Sequence, residues 1–96
     1  MPAYVIAQID ITDRDGYQAY LAGFMPIFER HGGKLLATSR QALQVWEGEW
    51  SAPDAVIMQF PSKQAAEAWH DDPEYRELAK IRHATARTNL VLIDGV

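Results

Sequence analysis

The order of the periodic segments constrains this chain more than any other feature. From Ala3 to Ile93 they alternate as strand, helix, strand, strand, helix, strand, and the chain ends almost where the last strand does. That order in 96 residues leaves room for one α+β domain spanning residues 1–96. The expected architecture is a four-stranded antiparallel sheet with both helices on one face. The other face is then bare unless something packs against it, and function is to be sought there.

The local patterns place the side chains. In the first strand, Val5, Ala7 and Ile9 share one apolar face, while Tyr4, Ile6, Gln8 and Asp10 share a mixed one, because side chains alternate along a strand. Thr12 and Asp13 supply caps for a helix whose Tyr17, Tyr20, Leu21, Phe24 and Phe28 form one stripe. Pro26 falls inside that pattern and cannot donate to the Ala22 carbonyl, so a bend or break is expected there. Gly32 and Gly33 end the helix. Lys34 to Trp50 reads as an edge strand interrupted near Arg40 to Gln44, resuming at Val45 and Trp46 before a Glu47-Gly48 turn. Asp54 to Phe60 is nearly continuous in apolar residues, the pattern of a central strand covered on both faces. Ser62 caps a helix carrying Ala65, Ala66 and Trp69, and Asp72 with Pro73 restarts it, placing Tyr75, Leu78, Ala79 and Arg82 on one stripe. The last strand runs from about Arg87 to Ile93.

Several function classes are excluded by composition. Net charge is −4, so no field attracts phosphate backbones, and nucleic acid is not an expected partner. The absence of cysteine removes disulfides and thiolate chemistry. MPAYVIAQID contains neither a basic leader nor a long apolar run, so no membrane association is expected and the location expected is the cytoplasm. No two of His31, His70 and His83 share a helical turn, so no metal centre is expected. No phosphate loop, nucleophile elbow or dinucleotide fingerprint is present, and no cofactor is expected.

The chain resembles a family of small proteins, domain of unknown function 1330, within the dimeric alpha-beta barrel superfamily. The resemblance is carried by AYVIAQIDITD, Tyr17 and Tyr20, Gly32-Gly33, Glu47-Gly48-Glu49-Trp50, Phe60-Pro61-Ser62, Ala66 with Trp69, Asp72-Pro73-Glu74-Tyr75, Arg82 and LVLIDG. It implies a ferredoxin-like βαββαβ fold whose bare sheet face packs on that of a second chain. Superfamily members include cofactor-independent monooxygenases, isomerases and haem-binding proteins. The chain departs from the pattern at His31, where a tyrosine is common, and at Thr38 to Leu43, which lacks the usual glycine-rich turn.

Candidate ligand contacts follow from residue type and face. Gln8 and Gln59 lie on the mixed faces of strands that the fold places side by side, where amides could orient a ligand or hydrogen-bond each other at a dimer seam. Arg82 directs a cation along an apolar stripe, so it either meets a carboxylate such as Glu47 or Asp10 or is available to an anion. Asp10 and Glu47 are the carboxylates expected near a cavity mouth. Trp69 belongs to the helix–sheet layer and is a further candidate contact. His31 continues the stripe of the first helix; it is either a helix-end cation or a general base, and Tyr20 either packs or acts as an acid. The functional expectation is a small organic, possibly anionic ligand in a cleft, with or without cofactor-free monooxygenase- or isomerase-like chemistry. The competing expectation is a non-catalytic dimeric module.

Overall fold

A computed structural model describes residues 1–39 and 43–96. The chain forms β1 (Ala3–Ile11), α1 (Arg14–Arg30), β2 (Lys34–Thr38), β3 (Asp54–Phe60), α2 (Lys63–Asp71), α3 (Pro73–Thr85) and β4 (Ala86–Asp94). The four strands form one sheet in the order β2-β3-β1-β4, with β1 antiparallel to both β3 and β4, and β2 antiparallel to β3. This is the ferredoxin-like α+β fold that the element order implies.

The two faces of the sheet differ as the alternation requires. Val5, Ala7, Ile9, Met58 and Phe60 are buried beneath the helices with Tyr17, Tyr20, Ile27, Phe28, Ala66, Trp69, Tyr75 and Ala79. On the opposite face lie Tyr4, Ile6, Gln8 and Asp10 of β1, with Ala55, Ile57 and Gln59 of β3 and Arg87, Asn89, Val91 and Ile93 of β4. Val91 and Ile93 there are 52% and 48% exposed. The apolar run of β3 therefore has one covered face, with Ile57 reaching solvent on the other.

Local chemistry explains the boundaries. Asp13 caps α1 by accepting from Gly16 N, Ser62 caps α2 by accepting from Ala65 N, and Asp72 caps α3 by accepting from Glu74 N. α1 ends at Gly32, whose φ of 80° suits a residue without Cβ. Pro26 does not end α1, which continues to Arg30. Ala22 and Pro26 both lie on the solvent side, where water can take the carbonyl's hydrogen bond. On the α1 stripe Leu21 is exposed, and Ile27 fills the core instead.

β2 ends at Thr38, and Val45 and Trp46 form no strand. The chain there turns at Gly48, with φ of 75°, and Trp46 is 88% exposed. The expected interruption at Arg40 to Gln44 falls mostly on residues 40–42, which lie outside the described residues, as does part of the Thr38 to Leu43 departure.

Candidate functional site

A cavity of about 110 Å³ lies between the helices and the sheet. Its walls are apolar and aromatic: Tyr17, Tyr20, Leu21 and Phe24 from α1, Trp69 from α2, Tyr75 from α3, and Ala7, Ile9, Leu35, Val56, Met58 and Leu90 from the sheet. Polar groups reach it from three directions. Arg82 enters from α3, Thr88 from β4 and Thr38 from the end of β2. The exposed lining residues Leu21, Leu35 and Thr38 mark where it opens.

Each polar group is placed by its element. Arg82 follows Tyr75 by seven positions, two turns of α3, so both side chains face the sheet. The residue is only 6% exposed. Its guanidinium lies 5.9 Å from the centre of the Tyr20 ring, and one terminal nitrogen is 3.4 Å from His83 Nε2. No carboxylate pairs with it among the described residues. The expected pairing with Glu47 or Asp10 is therefore not found: Glu47 is exposed in the Gly48 turn, and Asp10 lies on the other face of the sheet. Burial without a counter-ion is costly for a cation.

Three buried side-chain atoms among the described residues have no hydrogen-bond partner: Trp69 Nε1, Arg82 Nε and Thr88 Oγ1. All three belong to residues lining this one cavity. Two are obligate donors and the third is a hydroxyl. Beside them the Tyr20 and Tyr75 hydroxyls are 2.6 Å apart. One phenol donates to the other, which leaves a second phenolic hydrogen for another acceptor. Burial and the neighbouring Tyr75 hold the Tyr20 phenol far above its ordinary pKa, opposed weakly by Arg82. Burial likewise raises Tyr17. These phenols stay protonated, so they can donate a hydrogen bond but cannot serve as bases.

Of the residues singled out in the sequence, the cavity brings together Tyr20, Trp69 and Arg82. Gln8 and Gln59 lie on the opposite sheet face, so they cannot share a small ligand with Arg82. Nor do they meet each other: Gln8 sits opposite Ala55, and Gln59 opposite Tyr4. Gln8 Oε1 instead accepts from Ser51 Oγ and Asn89 Nδ2, each at 3.4 Å. His31 caps the end of α1, with Nε2 2.7 Å from Asp72 Oδ2, and does not line the cavity. Asp72 also accepts from Arg30 at 2.9 Å. Those bonds and the Glu74 backbone N–H hold its carboxyl well below the usual range, His31 contributing most. The cavity adds Thr88, which the sequence does not single out, and Tyr75, which the sequence places on the stripe of Arg82. The signal for Thr88 was present as a lone hydroxyl between Ala86 and Leu90 on the inward side of β4.

Comparisons with known proteins fix the family and the fold. No curated protein matches the chain. A protein of unknown function from Rhodopseudomonas palustris superposes with a TM-score of 0.82 at 24% identity, covering 99% of this chain and 82% of the other. A dimeric ferredoxin-like protein of unknown function from Jannaschia gives 0.74 at 14%, covering 99% and 100%. SnoaB, a cofactor-independent oxygenase from Streptomyces nogalater, gives 0.70 at 12%, covering 99% and 93%. At these identities the likeness is one of fold. The family "Domain of unknown function (DUF1330)" matches residues 2–96, nearly the whole chain, and the protein belongs to that family.

Proposed function

We propose that this protein binds a small, oxygen-bearing organic molecule in the cavity between its helices and its sheet. It does so as a cytoplasmic homodimer of the dimeric alpha-beta barrel type, without a cofactor. The observation that carries this reading is an apolar-walled cavity whose lining includes the buried Arg82, with no carboxylate partner among the described residues, and three residues, Trp69, Arg82 and Thr88, that each keep a buried polar atom unpartnered. A cavity serving only as packing has no use for three unmatched polar atoms, each of which costs stability. Apolar walls with a few convergent polar groups are the usual form of a small-molecule site. That lining favours a ligand site over a purely structural module.

Among the described residues the lining holds no aspartate, glutamate or histidine. Proton abstraction by the protein is thereby disfavoured. Any monooxygenase- or isomerase-like reaction would draw on the ligand's own reactivity, with the donors stabilising negative charge that develops on oxygen. SnoaB pairs this fold with cofactor-independent oxygenation, which is compatible with such chemistry. The dimer is supported by the open sheet face, where Ile57, Val91 and Ile93 lie exposed, and by dimeric relatives of the same fold. Gln8 and Gln59 would then lie at the seam between subunits.

The test is a thermal-shift screen of small acids, phenols and enones against the purified protein, with native mass spectrometry to detect bound mass. The expected result is a subset that raises the melting temperature, with the gain reduced in Trp69→Phe, which removes one donor. A screen in which no compound binds or stabilises would overturn the reading.

A further inference from the structure

The cavity's polar lining is one-sided. Arg82, Trp69 and the Tyr20–Tyr75 pair offer N–H and O–H hydrogens, and the guanidinium carries a permanent positive charge. Thr88 adds a hydroxyl that can also donate. No anion from the protein enters the space among the described residues. What such a site lacks is a single negative charge with more than one acceptor oxygen.

We propose that the ligand is a small monocarboxylate, bound in its ionised form. Its carboxylate would accept from Arg82 Nε, Trp69 Nε1 and the Thr88 hydroxyl, and its apolar body would lie along the cavity wall toward Leu21 and Leu35. The inference rests on the ligand-site reading above and gives it a chemical class. A carboxylate has two oxygens and about four acceptor positions, enough for all three unpartnered groups. A neutral carbonyl has one oxygen and leaves at least one of them unmet. The single charge neutralises a buried guanidinium that has no counter-ion in the protein. Size sets the rest: a dry cavity of roughly 150 Å³ takes benzene, and this one is smaller at about 110 Å³ but open at its mouth, so a ring would extend into the opening. A short branched chain, or one ring reaching into the mouth, would be accommodated, whereas a fused polycyclic body would not.

The test uses shape-matched probes: benzoate, benzamide and benzyl alcohol, with cyclohexanecarboxylate as a non-aromatic acid. Each is titrated calorimetrically into wild type, Arg82→Met, Arg82→Lys and Thr88→Val. Both carboxylates are expected to bind wild type at least about tenfold more tightly than benzamide or benzyl alcohol, the size of a charge-assisted hydrogen bond. Arg82→Met should abolish that preference, and Arg82→Lys should retain part of it. Thr88→Val, which keeps the charge, should weaken the carboxylates alone. Equal affinity for benzoate and benzamide would overturn the carboxylate inference while leaving the ligand site standing. Failure of all four probes, together with no hit in the wider screen, would overturn both. Failure of all four with neutral hits in that screen would overturn the inference alone. Should Arg82→Met not fold, Thr88→Val decides, since an unchanged benzoate affinity there would contradict the proposed contacts.

Discussion

At the scale of single residues, the site is a set of local losses of stability. A buried hydroxyl with no partner costs on the order of 1–3 kcal/mol relative to a paired one. Thr88→Val removes the hydroxyl at almost constant shape, so the free protein should gain about 1 kcal/mol in a urea melt while losing carboxylate affinity. A variant less stable than wild type would show that Thr88 has a partner after all. Arg82 illustrates where sequence reading stopped. Its direction toward an apolar surface was legible from its stripe with Tyr75 and Ala79. Its lack of a carboxylate was not, because pairing depends on where the Glu47 turn and the Asp10 face come to rest in three dimensions. Thr88 was missed for a related reason: an inward threonine ordinarily finds a carbonyl, as Thr85 does with Ile81 O at 2.7 Å.

At the scale of elements, α2 and α3 carry Trp69 and Arg82 to the cavity wall, beside Thr88 of β4 and Tyr20 of α1. Trp69 near the end of α2 and Tyr75 in the first turn of α3 have ring centres 4.3 Å apart, and Trp69 is 1% exposed. Trp69→Ala should cost on the order of 3–5 kcal/mol, whereas His70→Ala, one position around the helix, should be mild. Equal denaturation midpoints would mean that the buried face of α2 is assigned wrongly.

Asp72 at the junction ties α3 to the end of α1 through His31 and Arg30. Its carboxyl is depressed in the folded state, so its contribution is present above the ordinary carboxylate value near 3.8 and is lost as pH falls through the folded one. Asp72→Asn keeps a helix cap but removes the charge. Its melting temperature should fall below that of wild type at neutral pH, and the gap should narrow progressively as pH falls below about 4 toward the depressed folded value. A gap independent of pH would assign the effect to the cap alone. The caps and strand faces were readable because each depends on a few neighbouring residues. The strand expected at Val45 and Trp46 does not form although β2 and β4 each keep an open edge, because β propensity alone does not pair a segment.

At the scale of the whole molecule, the sheet has two unlike faces: a helix-covered one that encloses the cavity, and a bare one with Ile6, Ile57, Val91 and Ile93. Sedimentation should give a dimer at micromolar concentration. Val91→Lys should shift it toward monomer, because a charge on that face would have to be desolvated on pairing. A wild-type monomer at that concentration would remove the dimer proposal and leave the cavity untouched.

The strand order has a further consequence, one of timing. β1 is made first but lies inside the sheet, and neither neighbour is close in the chain: Ala3 pairs with Phe60 on one side and with Asp94 on the other. An apolar strand emerging from the ribosome therefore waits for β3, and then for almost the entire chain, before both its edges are satisfied. Truncation before β4 would leave β1 with an open apolar edge and expose the cavity's Ala7 and Ile9 wall. The sheet is thus complete only when its last strand pairs, and so is the cavity, whose wall β4 closes with Thr88 and Leu90.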